Sequence, residues 1–298
     1  MAMEKNNRRL GLAQIILSGI CFGFLGFFGK KAYERHITPG ELLSLRYFIS
    51  ALITFALILF TKPKSLFKLS RFEVAASLLL GICGYALFSS FYFMALTGLS
   101  ASLTVLLLYT YPVLVTLFSR IFLKEKMGAK GWPALVMVTI GLIGLVYGEW
   151  NISGARFLWF GFGSAFFYAL YIILSRQYLS NVDALASSFY VQLGAGVVLS
   201  LLFFRDNPAR PFEILERHGL MIISMAILCS LMAMTLFLAG LQKVKSSEAS
   251  ILSMTEPISG VIIASVLLQE KLKIIQMAGG ILILMGMALI ALKKENES

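Results

Sequence analysis

Apolar residues fill this chain in long runs of about twenty, broken by short polar stretches rich in Lys, Arg, Gly and Pro. Neither the period of two expected of a half-buried strand nor a single amphipathic stripe dominates. A helix needs about 20 mostly apolar residues to cross a bilayer. On that measure the pattern predicts ten spans, at roughly 10–30, 41–61, 72–96, 99–121, 131–149, 156–176, 183–204, 218–241, 247–268 and 274–292. Ten such helices use about 200 residues, so the connections are short and no soluble domain fits. The longest connections are 62–71 and the turn-rich 205–217, with Asp206, Pro208, Arg210 and Pro211.

Composition sharpens this picture. The 298 residues are 58% hydrophobic and 14% charged, and mean hydropathy is +0.84. A soluble domain carries about 25% charged residues, so a soluble globular protein and a disordered one are both excluded. The net charge of +11 does not make a nucleic-acid partner. The cations sit in short runs between apolar stretches, where they set orientation and meet lipid head groups. With the N-terminus inside, sixteen Lys and Arg fall on the cytoplasmic side and nine on the other. Both termini are therefore expected in the cytoplasm. The apolar run from Leu10 to Phe28 exceeds a signal-peptide core and is read as a retained first helix. Cys21, Cys83 and Cys229 all lie inside apolar spans and are read as small buried hydrophobes.

The chain repeats itself. Shifted by 145 residues, Pro112 falls on Pro257, Glu125-Lys126 on Glu270-Lys271, Ser102 on Ser247 and Gly141 on Gly286. Residues 1–150 then form a first five-helix repeat and 151–298 a second. Five is odd, so the second copy enters the membrane the other way round. Inverted-topology repeats recur in secondary transporters, with substrate near the midplane between them. The predicted fold is an all-α integral membrane protein of ten transmembrane helices in two inverted five-helix repeats.

With these residues in place the chain resembles the EamA family of the drug/metabolite transporter superfamily. The shared features are ten helices in two halves, a mid-helix proline in the fourth and ninth, and a Glu-Lys turn after each. The resemblance covers nearly the whole chain and is specific for fold and transport class. It implies a bacterial inner-membrane carrier, often an exporter of amino acids or other metabolites. It also implies a central cavity lined mainly by the first four helices of each half.

Candidate transport residues follow from the cost of polar groups in a membrane. Glu256 lies near the middle of the ninth span, where an ionisable residue is a functional hypothesis by default. Pro257 removes the hydrogen bond to the Ser253 carbonyl, and Pro112 does the same to Leu108. Each freed carbonyl then needs a helix neighbour, a water or a substrate. Ser253, Glu256, Ser259 and Gly260 share one helical face. Tyr85, Ser89 and Tyr92 form a stripe on the third span, as do Ser164, Tyr168, Tyr171 and Ser175 on the sixth. Tyr109 and Tyr111 compete for a place at the cavity, and Tyr111 matches Glu256 across the repeat. Arg46, the one cation well inside a span, either snorkels with Glu41 beside it, binds a substrate carboxylate, or pairs with Glu256. Glu125, Lys126, Glu270 and Lys271 are read as ordering loops or gates at opposite surfaces. Gln192 and the methionines of the eighth span are weaker candidates. Glycine pairs such as Gly19/Gly23 allow close helix approach.

No phosphate-binding loop, metalloprotease motif or nucleophile elbow occurs. The expectation is no enzyme, no cofactor and no metal. The predicted function is a secondary transporter of small polar or zwitterionic, amino-acid-like metabolites, an exporter or facilitator working by alternating access. The alternative is a broad-specificity exporter of amphipathic cations. Expected partners are the small-molecule solute, protons as a candidate coupling ion, and the bilayer, with the protein monomeric or homodimeric.

Overall fold

The computed structural model describes residues 2–62, 68–148, 152–269 and 271–292. Glu270, Lys293 and Lys294 lie outside them. Among the described residues ten helices follow in chain order: α1 Ala2–Tyr33, α2 Pro39–Thr61, α3 Arg71–Leu96, α4 Ala101–Phe122, α5 Gly131–Leu145, α6 Ala155–Tyr178, α7 Ala184–Phe203, α8 Arg210–Leu241, α9 Ser246–Leu267 and α10 Ile274–Ala291. All but α5 are long and apolar enough to cross a membrane, and α5 is a shorter apolar helix that stops before the expected residue 149. Among the described residues there is no strand, only an isolated antiparallel bridge between Leu99 and Ile152.

Local sequence sets the starts. Thr38 and Ser70 cap α2 and α3 with complete capping boxes to Glu41 and Glu73, and Asp183 caps α7 through Leu185 and Ala186. The segment expected as a turn-rich loop at 205–217 instead winds into the first turns of α8. This helix begins at Arg210 with Pro211 in its first turn and kinks at His218.

The inverted repeat is visible in irregularities as well as in helix count. α4 breaks between Leu108 and Tyr111, and α9 between Leu252 and Thr255. α3 carries a π-helical segment at Leu80–Ala86, and α8 one at Ile227–Met232. Lys124 and Gln269, which are 145 positions apart, both adopt positive φ (54° and 57°) just before the Glu-Lys turns. The sequence halves nonetheless interleave in space. α1 packs on α8 and α9, α6 packs on α3 and α4, α2 lies along α7, and α5 lies along α10.

Glycine makes the α1–α9 approach possible. A Cβ on Gly19 would stand 3.0 Å from the Glu256 backbone nitrogen, and one on Gly23 would stand 2.5 Å from the Ser259 Cβ. The broken stretch of α9 is therefore held against a bare stripe of α1.

Candidate functional site

The breaks in α4 and α9 bring the deepest polar groups together. Pro257 cannot bond the Ser253 carbonyl, but the structure leaves that carbonyl neither to a neighbour nor to a solute. The Glu256 N–H donates to it at 2.9 Å, closing a tight turn. The same turn places Glu256 at the start of the second half of α9, half-buried in the middle of the molecule. The Tyr109 hydroxyl, beside the break in α4, faces its carboxyl. Tyr92 of α3 stands in the field of the same carboxyl. Tyr92 and Tyr109 are half-buried like Glu256, whereas Tyr85, Tyr111, Tyr168 and Tyr171 are buried. Of the two tyrosines flanking the break, it is Tyr109 that meets the acid.

The tyrosines form a continuous arc. Ring centroids lie 6.0 Å apart from Tyr109 to Tyr111, 4.6 Å from Tyr111 to Tyr168, and 6.2 Å from Tyr168 to Tyr85. Tyr85 then meets Tyr171 at 4.6 Å and Tyr47 at 5.6 Å, both edge to face. The Arg46 guanidinium carbon lies 4.3 Å from the Tyr47 ring centroid and ends the arc. The arc thus runs from a carboxyl on α9, through α4, α6, α3 and α2, to a guanidinium. Edge-to-face aromatic pairs are directional contacts worth about 0.5–1.5 kcal/mol each, so the wall is stiff.

Arg46 does not snorkel. It is 3% exposed, and Glu41 is turned away from it. Glu41 closes the α2 capping box and receives Arg210 Nε at 3.0 Å. Arg46 Nε and Nη1 are buried with no partner, and no ion pair joins Arg46 to Glu256, although each lies in the other's field. The hydroxyls of Tyr47, Tyr111, Tyr171, Ser89 and Ser175 are also buried without a closed hydrogen bond. Ser89 lies beside Tyr47, Ser253 beside Tyr111, and Ser175 beside Tyr171.

Other expected residues go elsewhere. Ser253 and Ser259 donate to their own helix, to the carbonyls of Ala249 and Thr255. Ser259 packs on Gly23, not on the tyrosine arc. Pro112 and Pro257 are buried at the two breaks. Gln192 is fully buried, bonded to Ser188 through its amide nitrogen. Cys83 is exposed rather than buried, unlike Cys21 and Cys229.

The Glu-Lys turn after α4 clasps the face that carries the N-terminus. Glu125 accepts from the Ser246 N–H at 2.8 Å, at the start of α9, and from Arg176 Nε at 3.4 Å, at the end of α6. Arg176 also donates to the Leu241 and Gln242 carbonyls at 2.8 Å each, at the end of α8. Lys245 donates to the Lys126 carbonyl, while the Lys126 side chain is exposed. Sequence reasoning missed a further staple on this face: Arg8 of α1 donates to Glu248 of α9 at 3.3 Å and to the Ile290 carbonyl of α10 at 3.1 Å. Its signal was an acid in the first turn of α9, hidden by proximity to the loop. On the opposite face Lys271 is exposed.

Comparison with known proteins decides the family. The model of the EamA-like transporter family matches residues 9–147 and again 156–292. The chain belongs to the EamA-like transporter family. It is 21% identical to the uncharacterized transporter YxxF of Bacillus subtilis (strain 168), over all of this chain and 94% of that one. It is 23% identical to YcbK of the same organism, over 90% of this chain and 88% of that one. It is 22% identical to the uncharacterized inner membrane transporter YicL of Salmonella typhimurium, over 97% and 98%. A solved structure described only as "Crystal structure of protein" superposes with a TM-score of 0.75 over 94% of this chain and 95% of its own, at 17% identity. That likeness bears on the fold alone. The chain is thus a multi-pass membrane protein of a transporter family.

Proposed function

We propose that this family member is a secondary transporter of small polar or zwitterionic, amino-acid-like metabolites, an exporter or facilitator that works by alternating access. The observation that carries the reading is Glu256: a half-buried carboxyl at a helix break, met by Tyr109 and faced by an arc of tyrosines. An intramembrane acid is expensive unless it meets water, a proton or a cation. Here it offers a partner for a solute ammonium or a site for a coupling proton. The aromatic wall suits the solute body by stacking and cation–π contact. The half-buried ring of Glu256, Tyr92 and Tyr109 is the open part of the path. The clasped N-terminal face is the shut part. By the charge bias that face is cytoplasmic, in a bacterial inner membrane.

The same acid and rings would also serve an amphipathic cation, the second reading. Uptake of a labelled amino-acid mixture into proteoliposomes, with and without a pH gradient, compares wild type with Glu256→Gln. Gradient-driven uptake abolished by the substitution makes Glu256 the coupling site. Gradient-independent uptake lost on substitution makes it a solute contact. Uptake unaffected by Glu256→Gln refutes the reading, and transport of organic cations only selects the alternative.

A further inference from the structure

We propose that Arg46 is the carboxylate receptor of the transport site, so that the solute is a zwitterion held by its carboxylate on Arg46 and its ammonium toward Glu256. This rests on the transport reading of Glu256 and adds the chemical class of the solute. Arg46 lies well inside α2 and is 3% exposed. A guanidinium is always charged, and a buried charge without a partner is strongly unfavourable. Two of its nitrogens lack any partner in the protein. The acid one turn away, Glu41, is committed to Thr38 and Arg210. Glu256 lies at the other end of the tyrosine arc and makes no ion pair with it. The guanidinium carbon lies 4.3 Å from the Tyr47 ring centroid, a contact that a lysine would not reproduce in full. An anion with two oxygens in one plane is the geometry a guanidinium fork binds best.

The test uses the full-length protein in proteoliposomes and the best-transported α-amino acid of the mixture. Its uptake is competed by the unlabelled acid, by its amide and by its decarboxylated amine. A charge-assisted hydrogen bond corresponds to about 10- to 100-fold in affinity. Wild type should therefore prefer the acid over the amide by about that factor. Arg46→Gln should bring the two within about threefold, and Arg46→Lys should keep only part of the preference. Monodispersity and thermal unfolding of each variant check that it is folded. Should Arg46→Gln not fold, Arg46→Lys and the wild-type acid-to-amide ratio carry the test. Equal competition by acid and amide in wild type overturns the inference, as does a preference that survives in Arg46→Gln. Transport of amines without amino acids overturns it too, while leaving Glu256 as a cation site. Uptake indifferent to Glu256→Gln removes the reading on which it rests.

Discussion

Removing the Glu125 carboxylate should loosen the N-terminal face and expose residues now sealed beneath it. The Ser246 N–H bond, at 2.8 Å, is charge-assisted and worth about 1.5–3 kcal/mol. The Arg176 contact is longer, at 3.4 Å, between side chains 25% and 14% exposed, so it adds at most about 1 kcal/mol. Arg176 keeps the Leu241 and Gln242 carbonyls, and Arg8 keeps Glu248, so the closure is weakened and not abolished. Glu125→Ala should therefore cost this closed arrangement about 2–3 kcal/mol. At about 1.4 kcal/mol per tenfold, the population open at this face rises roughly 30- to 140-fold. Ser175 reports it, being 2% exposed on the turn before Arg176. With Cys21, Cys83 and Cys229 replaced, Ser175→Cys should react slowly with a membrane-impermeant maleimide applied from the N-terminal side. Adding Glu125→Ala should raise the rate at least tenfold, and Glu125→Gln, which retains an acceptor, should raise it less. An unchanged rate in a folded Glu125→Ala protein would refute the view that these bonds belong to one state of a moving face.

Gly23→Leu should lower the thermal unfolding midpoint and abolish transport. Its Cβ would meet Ser259 at 2.5 Å, and overpacking costs about 1–3 kcal/mol. Tyr109→Phe should leave the midpoint nearly unchanged while cutting transport about tenfold or more, because it removes the hydroxyl that meets Glu256. Tyr171→Phe removes a hydroxyl that has no closed hydrogen bond and should hold or raise the midpoint, read in the same melts.

The fold was legible because its two signals are coarse ones. Apolar runs of about twenty residues mark spans, and a register shift of 145 that matches Pro112 with Pro257 and Glu125 with Glu270 marks the repeat. Glu256 stood out because an acid in an apolar span is conspicuous. What escaped depends on contacts distant in sequence. Arg46 with Glu41 looked like a local pair, but the three-dimensional neighbour of Glu41 is Arg210, 169 residues away. Arg8 and Glu248 are 240 residues apart, and no local pattern in the sequence joins them. Tyr47 shares a buried hydroxyl stripe of α2 with Ser44, Ser50 and Thr54, a spacing that was legible in the sequence but passed over beside the more conspicuous Arg46. The π-helical segments leave no mark in an apolar run, since one extra residue per turn changes no residue type. The freed Ser253 carbonyl was expected to seek an outside partner because a proline argument counts lost bonds and not the turn that recaptures them.

The interleaving of the repeats explains why the two halves can be so unequal chemically. Across the symmetry Glu256 is matched by Tyr111, and Tyr47 by Gln192. If each repeat enclosed its own site, the second would hold the acid and the first none. Instead α1 packs on α8 and α9, and α6 on α3 and α4, so every wall of the central region draws on both copies. On the proposed reading, one shared site then draws Arg46 from the first repeat and Glu256 from the second. The symmetry is kept in backbone devices. These are the paired breaks, the paired π-helical segments and the paired positive-φ residues before the Glu-Lys turns. For the proposed zwitterion no such pairing of side chains is needed, because a solute with two different ends calls for two different partners.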